Sequence, residues 1–373
     1  MSSSDDGVLF EELHADSKLI FAFLSSRNIG DFTEQLIVAS SVKESLEGYR
    51  LAVFYIKDRD YTDKILTLCP SVDIALVGPH GMAFLINIFD VYSGRMAFQD
   101  AKIEGNHLYK SAIILSGSGI SQNCLPGFEY VPRLRFPNAE RARQDEALID
   151  IGLDPERWFA CVYWREPGYQ ERTSHPLRDI LNPAPYLAAI DHIVDMLGGQ
   201  VVRLGHPTQT KLRSHPDIID IAKREDSLMT QAAAIARARF FISSPSGPLT
   251  FGPGFGTPTA VTDNIDISGV WNSHDLLLTQ EIIAPDGCRF SGRSAYDAKL
   301  LSPGRAVELI KPEQGYRYVK NSKEQLIDIA DRLYRRTEDC PAWQSNDDTI
   351  RGRRGGASVS LPLRPAVRAS AFV

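Results

Sequence analysis

Apolar positions in the first third of the chain follow two rhythms. Leu19 to Leu24 is a continuous apolar run of strand length, whereas Phe32 to Leu46 spaces its apolar residues as a helix does. Leu51 to Ile56 reads as a second strand, a helix follows from about Thr62, and Ile74 to Val77 gives a third short strand. Ala112 to Leu115 adds another before the loop Ser116-Gly117-Ser118-Gly119. Strands that alternate with helices predict a parallel sheet wrapped by helices. The second half repeats the pattern. WFACVYW (158–164) is a buried strand, Pro185 to Leu197 a helix, Gln200 to Leu204 a strand, and Ile218 to Ala222 a short strand. Asp226 to Ala238 is an alanine-rich helix, periodicity weakens from Trp271 to Gly304, and Lys323 to Arg336 closes the pattern as a helix.

The segment 239–263 is the most informative. Phe240-Phe241-Ile242 is β-prone and stops at Ser243-Ser244-Pro245-Ser246-Gly247. Pro248 suits a first helical position, and Gly256-Thr257-Pro258 ends that helix before the strand Thr259-Ala260-Val261. A helix that starts after a strand aims unpaired N–H groups above the sheet, which favours a phosphate. Serine hydroxyls add donors, and Gly247 removes a Cβ from the approach. The plainer alternative is a strand–helix turn whose serines only cap the helix.

Length and composition then narrow the classes. At 373 residues the chain exceeds one ordinary core, so two domains are expected, with the linker in the Pro- and Arg-rich stretch 126–145. The boundaries drawn are 1–140, 141–345, and a basic tail 346–373 expected to be disordered. A net charge of −6 without a long basic stripe argues against nucleic-acid binding. The five cysteines are scattered without a metal-binding cluster, so no metal is expected. The start lacks a signal-peptide pattern and no apolar run is long enough to span a bilayer, so a cytoplasmic location is expected, with homo-oligomerisation left open.

Ligands of open α/β sheets bind beyond the carboxyl ends of the strands. The loops there carry Arg165-Glu166-Pro167-Gly168-Tyr169, then Gly205-His206-Pro207-Thr208-Gln209-Thr210-Lys211, then Lys223-Arg224-Glu225, and finally the Ser/Gly turn. Three loops with cations and one with hydroxyls suit a diphosphate, and Arg165 is the best candidate for a bidentate contact. A lone arginine at a strand end is otherwise an ordinary ion-pair former.

The segments VYWREPGY, SHPLRDILNPAPYLAAIDHIVDMLGGQVVRLG and FFISSPSGPLTFGPGFGTPTAVTDN resemble a bacterial family of GT-B glycosyltransferases from polysaccharide and natural-product gene clusters. That family is distantly similar to fucosyltransferases and heptosyltransferases. The matching positions are Arg165, Gly168 and Tyr169; Arg178 with Asn182; Arg203 and Gly205; and Ser246 with Gly247. The resemblance covers roughly 159–264. It implies an α/β GT-B fold of two Rossmann-like domains facing a cleft. A nucleotide sugar would be held by the second domain and an acceptor hydroxyl by the first, with no further cofactor. Arg165, Tyr169, Arg178, Gly205, His206, Lys211, Ser244, Ser246 and Gly247 would then surround the donor.

In the first domain, Ser25-Ser26-Arg27-Asn28-Ile29-Gly30-Asp31 is similar to the Ser-x-x-Gly-Asp turn of heptosyltransferases, which makes Asp31 the expected base and Arg165 its catalytic counterpart on the donor. An aspartate just before a helix is also a standard N-cap, the plainer reading of Asp31. His80, in the turn 78–81, is an alternative base. Asp58-Arg59-Asp60 stands too early in the chain for the metal-binding Asp-x-Asp of GT-A enzymes. The Gly252, Gly254 and Gly256 series lies beyond the helix start, unlike a dinucleotide fingerprint. The absence of a Glu-x7-Glu pair favours inversion at the anomeric carbon. An epimerase or phosphorylase of the same fold, and a non-catalytic partner protein, are the alternative functions.

Overall fold

The computed structural model describes residues 18–77 (except 27, 45 and 58), 97–103, 107–116, 129–130, 134–168, 175–267 (except 225 and 226), 270, 274–339 and 359–360. The chain divides into two compact units between Leu134 and Arg135. The segments of mixed rhythm in the sequence become two separate sheets.

In the first unit the apolar run becomes β1 (Lys18–Phe23), followed by α1 (Ile29–Glu44), β2 (Tyr49–Tyr55), α2 (Tyr61–Leu66), β3 (Ile74–Val77), β4 (Ala97–Ile103) and β5 (His107–Ser116). Their order in the sheet is β3-β2-β1-β5-β4, with β4 antiparallel to β5 and the other pairs parallel. In register, Ile20 stands between Leu51 and Ile113. The chain leaves β1 towards β2 and β3, then returns to β5 on the other side, so this sheet reverses direction beside β1. Helix α1 buries polar as well as apolar side chains. Thr33, Ser40 and Ser41 return their hydroxyls to the carbonyls of Ile29, Leu36 and Ile37 one turn back, so these buried polar groups are satisfied within the helix.

The second unit opens with α3 (Asn138–Asp150), a helix running through the stretch expected as a linker. Its sequence is mostly polar because it buries only Gln144 and Leu148; an Asp145–Arg237 ion pair fastens it to α5 (Leu228–Arg237). The sheet comprises β7 (Phe159–Tyr163), β8 (Gln200–Arg203), β9 (Ile218–Asp220), β10 (Phe240–Ser243), β11 (Thr259–Asn264) and β12 (Leu276–Thr279), a two-residue β6 (Glu129–Tyr130) having preceded it in the chain. All six are parallel, in the order β12-β11-β10-β7-β8-β9. Between β7 and β8 runs α4 (Ala184–Asp195). From β7 the chain steps to β8 and β9, then returns to β10 on the opposite side, so the strand order reverses between β7 and β10. Loops leaving that pair diverge and open a crevice.

The region of weak periodicity, 271–304, holds β12, β13 (Glu281–Ile283) and β14 (Arg289–Phe290); the last two join the later β15 (Arg317–Val319) in a small antiparallel sheet of order β14-β13-β15. Strands of two to four residues are too short for an alternation to show in the sequence. After the short helices α7 (Gly292–Asp297) and α8 (Pro303–Leu309), helix α9 (Lys323–Arg336) starts on a Ser322–Gln325 capping box. It buries Leu326, Ile329 and Leu333 in one core with Ile190, Ile193 and the sheet residues Val162, Phe240 and Ile242. Beyond residue 345 only the two-residue strand Val359–Ser360 is described. Among the described residues, no helix is long and apolar enough to cross a membrane.

Phe240 has no exposed surface and sits at the centre of this core, against Trp158 at 5.8 Å between ring centroids. Phe240→Ala is expected to lower unfolding free energy by about 3–5 kcal/mol in urea titrations. Leu181→Ala, at a side chain 78% exposed, is expected to stay within about 0.5 kcal/mol of the parent protein. Equal effects at the two positions would refute this placement of the core.

Candidate functional site

The ends of β7 and β10 are braced by one hydroxyl. Ser244 follows β10, donates its N–H to Tyr163 O at 3.1 Å, and accepts the Arg165 N–H on Oγ at 2.9 Å. Ser244 is fully buried. Its hydroxyl therefore fastens the backbone at the crevice and does not face a ligand, contrary to the donor role expected from the sequence. Ser246 is half-buried in extended backbone, and its Oγ donates to Tyr163 Oη at 2.9 Å. The expected helix start is a 3-10 turn over Gly247–Thr250 that runs into α6 (Phe251–Phe255), with Pro248 in the first turn. It ends where sequence predicts, at Gly256, whose φ of 74° is left-handed. Peptide dipoles sum along a helix, so this short element carries a weaker end charge than a long one.

Arg165 is aimed by a buried acid. Its Nε donates to Asp179 Oδ1 at 2.7 Å, and Asp179, 3% exposed, also accepts the His175 N–H on Oδ2 at 2.6 Å. The Arg165 carbonyl accepts from the Ile180 N–H at 2.8 Å, so the arginine is held at both backbone groups and at Nε. Its two Nη groups have no protein partner among the described residues. The turn 175–179 also carries Arg178, whose Nη2 donates to Pro245 O at 3.2 Å, one residue before Ser246. Burial raises the Tyr163 phenol, while Arg165, Arg203 and Arg178 pull it the other way. Arg165, Arg178, Ser246 and Gly247 thus converge at the strand reversal.

Two members of this cluster escape a reading of the sequence. Asp179 looks like one more loop acid, because its partner Arg165 lies fourteen positions away on another element. Lys320 follows β15, yet its Nζ donates to Leu177 O at 2.7 Å in the turn that carries Arg178. A positively charged residue at a strand end is the only signal available for it, and its strand is itself too short to be read.

The loop after β8 is built differently. Gly205 has a φ of 151°, and a Cβ there would stand 1.7 Å from Gln209 Oε1. Its N–H donates to Gln231 Oε1 at 3.0 Å and its carbonyl accepts from Gln231 Nε2 at 2.8 Å. The requirement for glycine here is met by packing within the protein. His206 Nδ1 lies 2.6 Å from Thr208 Oγ1. Lys211 is exposed, and Lys223 folds onto this loop in its place, donating to Pro207 O at 2.7 Å and also to Gln209 O. Arg203, fully buried, stacks 4.6 Å from the Trp164 ring and reaches Asp220 at 3.2 Å and Glu166 at 3.4 Å. Glu166 further accepts from Trp164 Nε1 and from both the N–H and Oγ of Thr210. This network fastens the β7 and β8 ends to each other.

Asp31 is the third residue of α1, exposed, and accepts from Asn28 Nδ2 at 2.9 Å. Helix α1 begins one residue after Asn28, so Asp31 lies within the first turn and is not the residue that precedes the helix. It follows β1, where the first sheet reverses. Tyr169 and the alternative base His80 lie outside the described residues. Among the described residues, no group of three or more acids, histidines and cysteines is placed to hold a metal.

No family model matches the sequence, and no curated protein matches it. Solved structures do match. The glycosyl transferase family 9 structure from Veillonella parvula DSM 2008 aligns over 85% of this chain and 97% of its own, at 13% identity and a TM-score of 0.54. The chain has a GT-B fold. The E. coli ADP-heptose lps heptosyltransferase II aligns over 78% of this chain and 96% of its own, at 13% identity and a TM-score of 0.45. E. coli heptosyltransferase WaaC with ADP aligns over 69% and 92%, at 8% identity and a TM-score of 0.39. The fold assignment rests on the first of these and on the two sheets described above.

His175 and His206 are both held below the ordinary histidine value near 6.5. Burial is the main cause for each, reinforced by Arg178 and Arg165 at His175 and by Arg203 at His206. His175 Nδ1 is buried without a hydrogen-bond partner. Groups with lowered folded values cost nothing above the unfolded value and destabilise the fold as pH falls from about 6.5 through the folded values. Thermal unfolding from about pH 7.5 to about pH 5 is therefore expected to show a smaller loss of Tm in a His175→Gln/His206→Gln variant than in the parent. An identical loss in both would show that neither imidazole is buried neutral.

Proposed function

We propose that the protein is a glycosyltransferase that moves a sugar from a nucleoside-diphosphate donor to an acceptor hydroxyl. The observation that carries this reading is the convergence of Arg165, Arg178 and the Ser246-Gly247 turn at the strand reversal between β7 and β10. The likeness in fold to glycosyl transferase family 9 supports it. Arg165, already fixed at Nε by Asp179, presents its Nη edge to a phosphoryl group, and Arg178, bonded to Pro245 O beside Ser246, adds a second guanidinium. Preorganised guanidinium groups stabilise the charge that grows on a departing diphosphate, the task a metal ion performs in other transferases.

Asp31 is the proposed base. The acceptor hydroxyl gives its proton to the Asp31 carboxylate as its oxygen bonds to the anomeric carbon. The bond from that carbon to the donor phosphate breaks, and its electron pair leaves on the nucleoside diphosphate. Attack from the face opposite the leaving group inverts the configuration. Asp31 stands exposed in the first turn of α1, where an acceptor hydroxyl can approach its carboxylate.

A thermal-shift panel of UDP, GDP, dTDP, ADP and CMP tests the donor reading. At least one diphosphate is expected to stabilise the protein, by about 2.7 kcal/mol at a hundredfold excess over its Kd. Arg165→Ala is expected to weaken that ligand about tenfold or more. A panel in which no diphosphate shifts the parent protein would overturn the reading. Asp31→Asn is expected to lower kcat by about 10²- to 10⁴-fold with donor binding intact; unchanged turnover would remove Asp31 from its role.

A further inference from the structure

Lys320 is delivered to the crevice by its neighbour. Asn321 and Asp263 clasp each other, Asn321 N–H to Asp263 Oδ1 at 2.7 Å and Asp263 N–H to Asn321 Oδ1 at 2.5 Å, while Asn321 Nδ2 donates to Thr279 O at 2.9 Å. Asp263, next to last in β11, has a left-handed φ of 52°, a conformation aspartate tolerates better than most residues. The clasp ties the segment after β15 to the carboxyl edge of the parallel sheet and sets Lys320 beside the turn 175–179.

An ammonium has three N–H groups. One Lys320 N–H goes to Leu177 O, and the other two have no protein acceptor among the described residues. The acids within electrostatic reach are Asp263 and Asp179, and both are committed elsewhere. Asp263 accepts from Tyr186 Oη at 2.7 Å and from the Asn321 N–H; Asp179 accepts from Arg165 Nε and the His175 N–H. Arg178 contributes a like charge. Burial pushes Asp263 towards its neutral form, opposed by Tyr186, the Asn321 N–H and Lys320. Among the described residues, the two acids near Lys320 thus already accept hydrogen bonds from other groups. Nor is Lys320 needed to pin the turn, because Leu177 O also accepts from Gln280 Nε2 at 2.6 Å.

We infer that Lys320 is a third cation of the anion site, which contacts the diphosphate with Arg165 and Arg178 and makes its binding depend on the lysine's own proton. This inference rests on the diphosphate reading above. Burial is the main cause that lowers the Lys320 ammonium from its ordinary value, Arg178 adds to it, and Asp263 and Asp179 oppose it. A lysine so placed loses its proton earlier on the alkaline side than an exposed one, and anion affinity falls with it. An arginine in its place stays charged throughout.

The test is calorimetric titration of the full chain with inorganic pyrophosphate at about pH 7 and about pH 9.5, the second approaching the ordinary lysine value. Comparison among variants cancels the titration of pyrophosphate itself. At the lower pH, Lys320→Met is expected to bind about tenfold more weakly than the parent protein, and Lys320→Arg to bind as the parent does. At the higher pH, the parent is expected to lose affinity relative to Lys320→Arg. If Arg165→Ala abolishes binding while Lys320→Met matches the parent at both pH values, the role of Lys320 is refuted and the diphosphate site stands. If the parent does not bind pyrophosphate at either pH, both fall.

Discussion

The parallel contact between β7 and β10 is the constraint on which the candidate site depends. Strand order reverses there, so the loops that leave the two strands part and expose backbone and side chains to a common space. A reversal alone would leave these loops poorly defined. The buried Ser244 hydroxyl closes the gap at its base by accepting the Arg165 N–H, and the Ser244 N–H continues the ladder to Tyr163. Burying a hydroxyl without a partner costs about 1–3 kcal/mol, so the bond also fixes where the loop can go. The conformation of the loop after β10 is thereby coupled to that of the loop after β7.

The charges around this crevice are arranged to orient, not to stabilise. A buried ion pair such as Asp179 with Arg165 recovers little more than its own desolvation cost. Its consequence is directional: a guanidinium anchored at Nε has its Nη edge left for something else. Arg203 shows the contrasting case. Stacked on Trp164 and bonded to Glu166 and Asp220, it is wholly buried and serves the joint between β7 and β8. Two arginines at adjacent strand ends thus divide the work, one turned inward to hold the sheet and one turned outward over the crevice. A chain with an overall charge of −6 can still present a cationic pocket, because at close range the local geometry outweighs the distant, screened excess.

The likeness to glycosyl transferase family 9 spans nearly the whole of that structure at 13% identity. At that identity it speaks for the path of the chain. Chemistry has to be argued from side chains, and the described side chains at the crevice, Arg165, Arg178, Ser246 and Lys320, are polar groups that donate hydrogen bonds. Donors whose neighbouring acids are already bonded favour an anion, and this supports the phosphorylated ligand proposed above.

The sequence by itself determined most of the buried strands and the helices between them, but neither α3 nor β4. Continuous apolar runs such as Phe159–Tyr163 and Phe240–Ser243 admit little but buried parallel strands, and Gly256 admits the left-handed turn that stops a helix. The placing of Arg165, Ser246 and Gly247 at strand ends was also legible, because each follows a strand whose end is marked locally, whereas Arg178 entered only through the family resemblance. Tertiary structure alone decided which of those groups face outward. Ser244 and Ser246 are near neighbours in one turn, yet one is sealed beneath Arg165 and the other stands half-exposed beside Tyr163. Nothing in their spacing separates them. Lys320 and Asp179 were decided in the same way, since their positions depend on the Asp263–Asn321 clasp and on a contact between elements far apart in the chain. Local pattern fixes backbone conformation within a few residues, whereas the direction of a polar side chain at a strand end is set by partners that only the folded sheet brings near.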